Sequence, residues 1–313
     1  MRDQGSAIVR IREAVRPGTM LALAGVVSFS LTFPATSLAL HGFGPWTVAS
    51  GRCMIAGIVA AGCLAAARVP LPERRHWPGL IVVAAGCVLG FPILTTLALR
   101  VSTTSHSAVV IGLLPLVTAI VGARRARQRQ SRRFWLAACA GALAVVVFTV
   151  LQSHGAPSGA DLLLFAALVV CAFGYAEGGR LAVAMPGWQV IGWAVVFALP
   201  VTAPMTAISL ATEPVRPDVS AVLGLAYIAL ISQFGGFVVW YRGMAELGVA
   251  RASQLQLAQP LLTLVWSVLL LSEDLPPLAP VTAVIVLLCI AVTQRDRVKP
   301  TPLRSRNVAT ARR

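Results

Sequence analysis

VARASQLQLAQPLLTLVWSVLLL, residues 249–271, and TTSHSAVVIGLLPLVTAIVGA, residues 103–123, have the same construction. Each is an apolar run of about 20 residues, long enough to cross the roughly 30 Å hydrocarbon core of a bilayer as a helix. Each carries a proline near its middle, Pro260 in one and Pro115 in the other. An offset of 145 residues superimposes the two prolines and brings further pairs into register: Gly90 with Gly235, Leu116 with Leu261, and Thr118 with Thr263. The chain is therefore internally duplicated.

Ten apolar segments of this length follow one another along the chain. With 57% hydrophobic residues, 12% charged residues and a mean hydropathy of +0.81, a soluble domain would have too little polar surface. The segments lack the alternating polar and apolar period of barrel strands, so helices must satisfy their backbone groups. We expect an all-α integral membrane protein with ten transmembrane helices. The predicted spans are 18–40, 45–67, 78–99, 103–123, 133–151, 160–184, 188–209, 219–241, 249–271 and 276–293.

The duplication divides these spans into two repeats of five. An odd number of spans per repeat places the second copy upside down relative to the first, as in the inverted repeats of many secondary transporters. We expect a basic cytoplasmic leader over residues 1–17, repeats over 18–152 and 159–294, and a basic, disordered tail over 295–313 near anionic lipid. The substrate path is expected between the two repeats.

The net charge of +15 reflects orientation rather than nucleic-acid binding. With the amino terminus in the cytoplasm, 23 of the 26 Lys and Arg residues fall on the inner side, and only Arg100 and Arg216 fall on the outer side. The positive-inside rule therefore predicts a multi-pass membrane protein with both termini in the cytoplasm. The alternative for the first span is a signal peptide, but its apolar run is longer than a usual signal core, which favours a retained helix.

Motifs for cofactor chemistry are missing from the sequence. All six cysteines fall inside predicted spans without a CxxC pair, and no GxxxxGK[ST] loop is present to bind ATP. We therefore expect no metal, no cofactor and no enzymatic activity. An intramembrane enzyme stays open as an alternative, although it would need a compact catalytic constellation. A non-transporting scaffold or receptor also stays open, although it would not need inverted duplication.

At this point a family resemblance becomes visible. GFVVWYRGMAELGVARASQLQLAQPLLTLVWSVLLLSED over residues 236–274, with its counterpart STTSHSAVVIGLLPLVTAIVGA over residues 102–123, resembles the EamA family of the drug/metabolite transporter superfamily. The resemblance implies a ten-helix inner-membrane carrier that exports amino acids or other small metabolites. The glutamate that usually closes the ninth helix of the family is present as Glu273. The matching position of the first repeat holds basic residues, Arg124, Arg125 and Arg127.

Glu177 is the only acidic residue well inside a predicted span. A charge at the bilayer centre costs about 2.5 to 3.5 kcal/mol on the insertion scale, so Glu177 needs water, a partner or a proton. Arg180 lies three residues later on the same helix face. Glu177 is therefore a candidate for proton or substrate coupling near the inner mouth. The alternative is an ion pair with Arg180 that anchors the helix at the interface.

Arg52 lies about 10 Å into the second span at the helical rise, deeper than easy snorkelling allows. It is a candidate to hold a substrate carboxylate. The alternative is a structural arginine bonded to carbonyls at a helix break. Pro34, Pro115 and Pro260 are the candidate helix breaks, because a proline inside a span frees a carbonyl and such breaks line transport pathways.

The ninth span carries polar residues at steps of three and four, which places them on one helix face. We expect this face, with Ser253, Gln256, Pro260 and Thr263, to line the cavity, and the alternative is hydrogen bonding between helices. Tyr175, Trp240 and Tyr241 are candidates for an aromatic wall. Together these residues predict a secondary or facilitative transporter that exports a small-molecule substrate, such as an amino acid, by alternating access in the lipid bilayer. Whether it forms a homodimer stays open.

Overall fold

The computed structural model of the protein describes residues 17–125, 130–152, 159–272 and 278–295. Within these ranges the chain is helical and contains no β-strand, and one isolated antiparallel bridge joins Phe43 to Val215. The expectation of an all-α protein is confirmed. The leader, the tail and Glu273 lie outside the described residues.

Ten helices, α1 to α10, account for the described residues. Seven of them are long and apolar enough to cross a membrane, so the protein is a multi-pass membrane protein. The expected count of ten spans stays a prediction. The seven are α1 (Pro17–Leu40), α2 (Pro45–Ala66), α3 (Arg74–Leu99), α6 (Gly159–Leu181), α7 (Gly187–Thr212), α8 (Val219–Leu247) and α9 (Val249–Leu271). The others are α4, in the two segments Thr104–Ile111 and Leu114–Arg125, α5 (Arg132–Gln152) and α10 (Ala279–Arg295).

Helices α4 and α9 are interrupted at equivalent places. Helix α4 breaks at residues 112–113, and α9 narrows to a 3₁₀ turn at Gln256–Ala258. Each interruption directly precedes its proline, Pro115 or Pro260, because proline has no N–H and its ring clashes with the carbonyl four residues earlier. The offset of 145 residues places residue 112 on residue 257. The two breaks are therefore copies of one feature.

Helices α3 and α8 contain a second duplicated irregularity that the sequence analysis did not predict. A π-helical segment covers Ala84–Gly90 in α3 and Tyr227–Gly235 in α8. Both segments end at the glycines that the offset of 145 residues pairs, Gly90 and Gly235. In α3 the segment is followed by Pro92. Segments of this kind widen a helix locally and often occur at functional sites.

The packing of the helices follows the duplication. Extensive contacts join α2 to α7, α1 to α8, α3 to α6, α4 to α9 and α5 to α10. The duplication makes α1 equivalent to α6, α2 to α7, and so on to α5 and α10. Exchanging each helix for its equivalent converts the α1–α8 contact into the α6–α3 contact and leaves the other three pairs unchanged. This is the pattern that two copies related by a two-fold axis produce. The α2–α7 and α4–α9 pairs therefore lie along the boundary between the repeats.

The helix ends form two opposite faces of the bundle. We call one the Glu177 end, where α4 and α6 finish at Arg125 and Leu181. We call the other the vestibule end, where α1 finishes at Leu40 and α3 at Leu99. A hydrophobic core of buried alanine, leucine, valine and aromatic side chains fills the space between these ends. The candidate site residues lie within or next to this core.

Candidate functional site

A small cavity lies at the centre of the bundle between the two repeats. Its volume is about 20 Å³, which is room for about one water molecule. The first repeat contributes α1 to α4 and the second contributes α6, α8 and α9. The lining residues are Phe29, Thr32, Phe33, Arg52, Cys87, Phe91, Leu114, Tyr175, Ser232, Gln233, Phe237 and Gln259. The cavity is too small for a metabolite as it stands, so the protein is closed around its centre.

Arg52 lines this cavity from α2. Its side chain is buried, with 2% exposed, and Nη2 donates a hydrogen bond of 3.1 Å to Ser232 Oγ. Ser232 Oγ is also hydrogen-bonded to Thr32 Oγ1 at 2.7 Å. The Nε and Nη1 atoms of Arg52 have no hydrogen-bond partner in the structure. The hydrogen bond found for Arg52 goes to a side-chain hydroxyl and not to the carbonyl of a helix break. A bond to such a carbonyl is what the sequence analysis expected of a purely structural arginine.

Among the described residues, no carboxylate faces Arg52. The six acidic residues in the described ranges lie elsewhere: Glu73, Asp161, Glu177, Glu213, Asp218 and Glu246. An isolated buried charge is expensive, and it persists where it binds a ligand or meets a compensating group. The unpaired N–H groups of Arg52 are therefore available to an anionic ligand.

Aromatic rings line the same cavity as the guanidinium. Tyr175, which the sequence analysis proposed, lines the cavity together with four phenylalanines that it missed, Phe29, Phe33, Phe91 and Phe237. Three of these rings are in contact, with centroids 5.0 Å apart for the Phe29–Phe237 pair and 5.7 Å apart for the Tyr175–Phe237 pair. The rings offer an apolar contact surface in a cavity that holds a single positive charge.

Trp240 and Tyr241, the other two candidates for an aromatic wall, are not among the residues that line this cavity. Trp240 is fully buried behind the cavity, with its ring 5.6 Å from that of Tyr175. The hydroxyl of Tyr241 is 3.6 Å from Cys87 Sγ and 3.5 Å from the carbonyl oxygen of Gly174. Both side chains therefore support the wall from behind, because the helix turns them toward α1, α3 and α6.

The helix break at Pro34 is satisfied by α9. Proline at position 34 removes the N–H that would bond the carbonyl of Ser30, and α1 has a turn at Leu31. Thr263 Oγ1 donates a hydrogen bond of 2.7 Å to the Ser30 carbonyl oxygen, and Trp266 Nε1 donates one of 2.9 Å to Ser30 Oγ. The Thr263 hydroxyl therefore forms a hydrogen bond between two helices. Such bonding was the alternative that the sequence analysis gave to a role in lining the cavity.

The two proline breaks of α4 and α9 lie on either side of a second cavity of about 10 Å³. It adjoins the first, since Phe33, Leu114 and Gln259 line both. Of the predicted polar face of α9, Gln256, Pro260 and Thr263 reach this cavity. Ser253 does not, and its hydroxyl donates to the carbonyl of Ala250 at 2.9 Å.

The π-helical segment of α3 offers two backbone carbonyls to side chains of neighbouring helices. Gln233 Nε2 donates to the Cys87 carbonyl oxygen at 3.1 Å, and Cys53 Sγ donates to that of Val88 at 2.8 Å. The sequence analysis missed Ser232 and Gln233 as site residues. The available signal was a pair of adjacent polar residues in the middle of an apolar span, just before the duplicated glycine at position 235.

Glu177 closes one end of the bundle. Its Oε1 accepts from Arg180 Nε at 2.9 Å and from Nη2 at 2.5 Å, while its Oε2 accepts from Arg125 Nη1. Only 5% of the Glu177 side chain is exposed. A Cβ atom at Gly79 would lie 2.6 Å from Oε1, so the glycine in α3 leaves room for the carboxylate. Arg125 belongs to the first repeat and Glu177 to the second, so this ion pair joins the repeats.

The opposite end contains a wide vestibule of about 570 Å³. Two arginines, Arg100 and Arg216, lie in its wall and give this part of the surface positive charge. The lining residues are Ser37, Leu40, His41, Gly42, Phe43, Gly44, Pro45, Leu99, Arg100, Pro214 and Arg216. In the described part of the chain, no group of three His, Cys, Asp or Glu residues is placed to hold a metal ion.

The two halves of the chain each match one family model. The EamA-like transporter family model matches residues 16–150 and again residues 158–294. The chain belongs to this family. The resemblance noted in the sequence is thereby confirmed, and the protein is a membrane transporter of the EamA type. Family membership and the names of its relatives indicate a transporter rather than an enzyme.

Relatives of this EamA protein are named as transporters. The chain is 41% identical over 271 residues to the uncharacterized transporter YdeK of Bacillus subtilis (strain 168), covering 87% of this chain and 94% of YdeK. It is 26% identical over 264 residues to a probable terminal-alkyne amino-acid exporter of Streptantibioticus cattleyicolor, covering 81% of this chain and 85% of the exporter. A solved crystal structure shares the fold, with a TM-score of 0.71, 19% identity, and coverage of 89% of this chain and 98% of that chain.

Proposed function

We propose that this EamA protein is a secondary or facilitative carrier that exports a small metabolite bearing a carboxylate, a class that includes amino acids. The cargo binds at Arg52 in the cavity between the repeats. Ten spans form two inverted repeats over residues 18–152 and 159–294. Both termini lie in the cytoplasm, in agreement with the placement of 23 of 26 Lys and Arg residues on that side.

One observation carries the proposal: a buried arginine with two unpartnered nitrogens lines a cavity between two duplicated halves. A transporter needs a site that both sides of the membrane can reach in turn, and the boundary between repeats is where such a site lies. Arg52 comes from the first repeat, and its hydrogen-bond partner Ser232 comes from the second. Movement of one repeat against the other would change the geometry around the bound carboxylate.

The two ends of the bundle support alternating access. The vestibule end is open over about 570 Å³, while the Glu177 end is closed by an ion pair between the repeats. In this proposal Arg125, Glu177 and Arg180 form the inner closure, which must separate before cargo enters from the cytoplasm. Glu177 then acts as a gate carboxylate held by two arginines rather than as a proton carrier.

The other named residues have supporting roles in the proposal. Tyr175 contacts the cargo, with Trp240 and Tyr241 packing behind it. Gln256 and Thr263, next to Pro115 and Pro260, lie where the second cavity would widen as the broken helices α4 and α9 move. The relative named as a probable amino-acid exporter supports outward transport of a carboxylate-bearing metabolite.

A flux screen tests this function. Purified protein in liposomes preloaded with a pool of amino acids and organic acids would be followed for release by mass spectrometry. We expect selective release that Arg52→Ala abolishes and that Arg75→Ala, which removes an exposed arginine paired with Glu73, leaves unchanged. Release that Arg52→Ala leaves intact would contradict the proposed site. Folded protein that releases nothing and copurifies with a partner would instead favour a scaffold.

A further inference from the structure

We infer that the site at Arg52 selects an organic monocarboxylate with an apolar body, and that it discriminates against the amino acid of the same shape. This inference rests on the proposed function, because it names the cargo class of the same cavity. Its basis is the balance of charge and apolar surface around the guanidinium.

The charge of the cavity is +1, and none of the carboxylates in the described part of the chain balances it. Arg52 is its one charged lining residue, and within the described ranges every carboxylate is engaged or located away from it. A carboxylate would neutralise the guanidinium and could accept from a free N–H group at Nε or at Nη1. A bound monoanion therefore makes the loaded centre electrically neutral.

An ammonium group next to that carboxylate would meet no compensating charge. The polar neighbours Ser232 and Thr32 are already bonded to each other, and the Gln233 amide donates toward a carbonyl. In a zwitterionic amino acid the ammonium would lie about 6 Å from the guanidinium. At an effective dielectric constant of about 20, that repulsion weakens binding by about 100-fold. We therefore expect a preference of at least 10-fold for the carboxylate without an ammonium.

The rest of the cavity wall fits an apolar body. Phe29, Phe33, Phe91 and Phe237 contribute aromatic rings, and Leu114 adds an aliphatic side chain. A second carboxylate or a sugar-like body would lose its hydration against these surfaces without finding donors. An aromatic or aliphatic body keeps its apolar area in apolar contact. The site therefore favours one carboxylate on one apolar body.

This cargo class also explains how outward transport could proceed without a coupling carboxylate in the cavity. The cytoplasm is electrically negative, so the membrane potential drives an anion outward. Each 100 mV raises the equilibrium ratio of outside to inside anion concentration about 50-fold. Glu177 is then free to serve as a closure, held by Arg125 and Arg180 at the end of the bundle. Electrogenic export of a monoanion needs no further ion.

Calorimetric binding to the full-length protein in nanodiscs tests the inference. Binding is preferable to flux here, because the neutral forms of weak acids cross lipid unaided. The probes share one body: 3-phenylpropanoate, phenylalanine, 2-phenylethylamine and 3-phenylpropan-1-ol, with hexanoate and norleucine as an aliphatic pair. We expect at least one carboxylate to bind 10-fold or more tightly than its amino acid, and the amine and alcohol to bind weakest.

Variants separate recognition by Arg52 from non-specific partition. Arg52→Gln should weaken carboxylate binding at least 10-fold and remove the preference, Arg52→Lys should retain part of it, and Arg75→Gln should match the wild type. An amino acid that binds as tightly as its carboxylate overturns the inference, and so does a carboxylate preference that Arg52→Gln preserves. If no probe binds while the flux screen shows release that depends on Arg52, the inference fails and the proposed function stands. If the screen also shows no such release, both fail.

Discussion

Replacing Arg52 by methionine is expected to make the cargo-free protein more stable while abolishing transport. Placing a charge at mid-membrane depth costs about 2.5 to 3.5 kcal/mol on the insertion scale. The hydrogen bond from Arg52 to Ser232 offsets part of this cost. A hydrogen bond to a charged group contributes about 1.5 kcal/mol or somewhat more. Ser232 keeps its bond to Thr32 in the variant, so no buried hydroxyl is left without a partner. The net gain for Arg52→Met is about 1 to 2 kcal/mol.

The assay is equilibrium unfolding in mixed micelles at increasing SDS fraction, followed by circular dichroism, with transport measured on the same preparations. Arg75→Met is the matched control, because it removes an exposed arginine and should change neither quantity. A structural arginine that completes a buried charged network would give the opposite sign, since breaking such a pair costs about 3 to 5 kcal/mol. Destabilisation of Arg52→Met by more than about 1 kcal/mol would therefore refute the reasoning.

Three further predictions concern the gate, the site and the fold. Glu177→Gln should open the Glu177 end, so that a cysteine introduced at the buried Leu181 reacts about 10-fold faster with an impermeant maleimide. Glu73→Gln is the exposed control, and equal reaction rates with and without Glu177→Gln would exclude a gate. Ser232→Ala should raise the KM for cargo about 10-fold by removing the hydrogen-bond partner that orients Arg52, whereas Thr36→Val, which loses only a bond within its own helix, should not. Thr263→Val should destabilise the protein by about 1 to 3 kcal/mol by leaving the Ser30 carbonyl unpaired. Thr282→Val serves as the matched control, because its hydroxyl bonds locally to the carbonyl of Leu278, just before α10.

The sequence was sufficient for the helical class, the family and the location of the breaks. Apolar runs of about 20 residues must become helices in lipid because no water can satisfy their backbone groups. Pro115 and Pro260 forced interruptions two to four residues before themselves, since the missing N–H and the ring clash act at a fixed distance along the chain. These features depend on local chemistry and on a duplication that the alignment of two halves makes visible.

The parts of the site that the sequence could not supply depend on tertiary packing. The π-helical segments of α3 and α8 have no residue signature of their own apart from a following proline or glycine. The partner that Arg125 provides for Glu177 is 52 residues away and in the other repeat, so spacing alone favoured Arg180. Which aromatic residues face the cavity depends on helix rotation, and Trp240 and Tyr241 were placed one layer too close to the centre.

A crystal structure with 3-(4-iodophenyl)propanoate bound tests the central claim most directly, because the anomalous signal of iodine locates the ligand without ambiguity. The account predicts the carboxylate within about 3 Å of Arg52 Nε or Nη1, as expected for a charge-assisted hydrogen bond. It also predicts the iodine among Phe29, Phe91 and Phe237. Iodine found only in the vestibule beside Arg100 or Arg216, with the centre unchanged around Arg52, would contradict it.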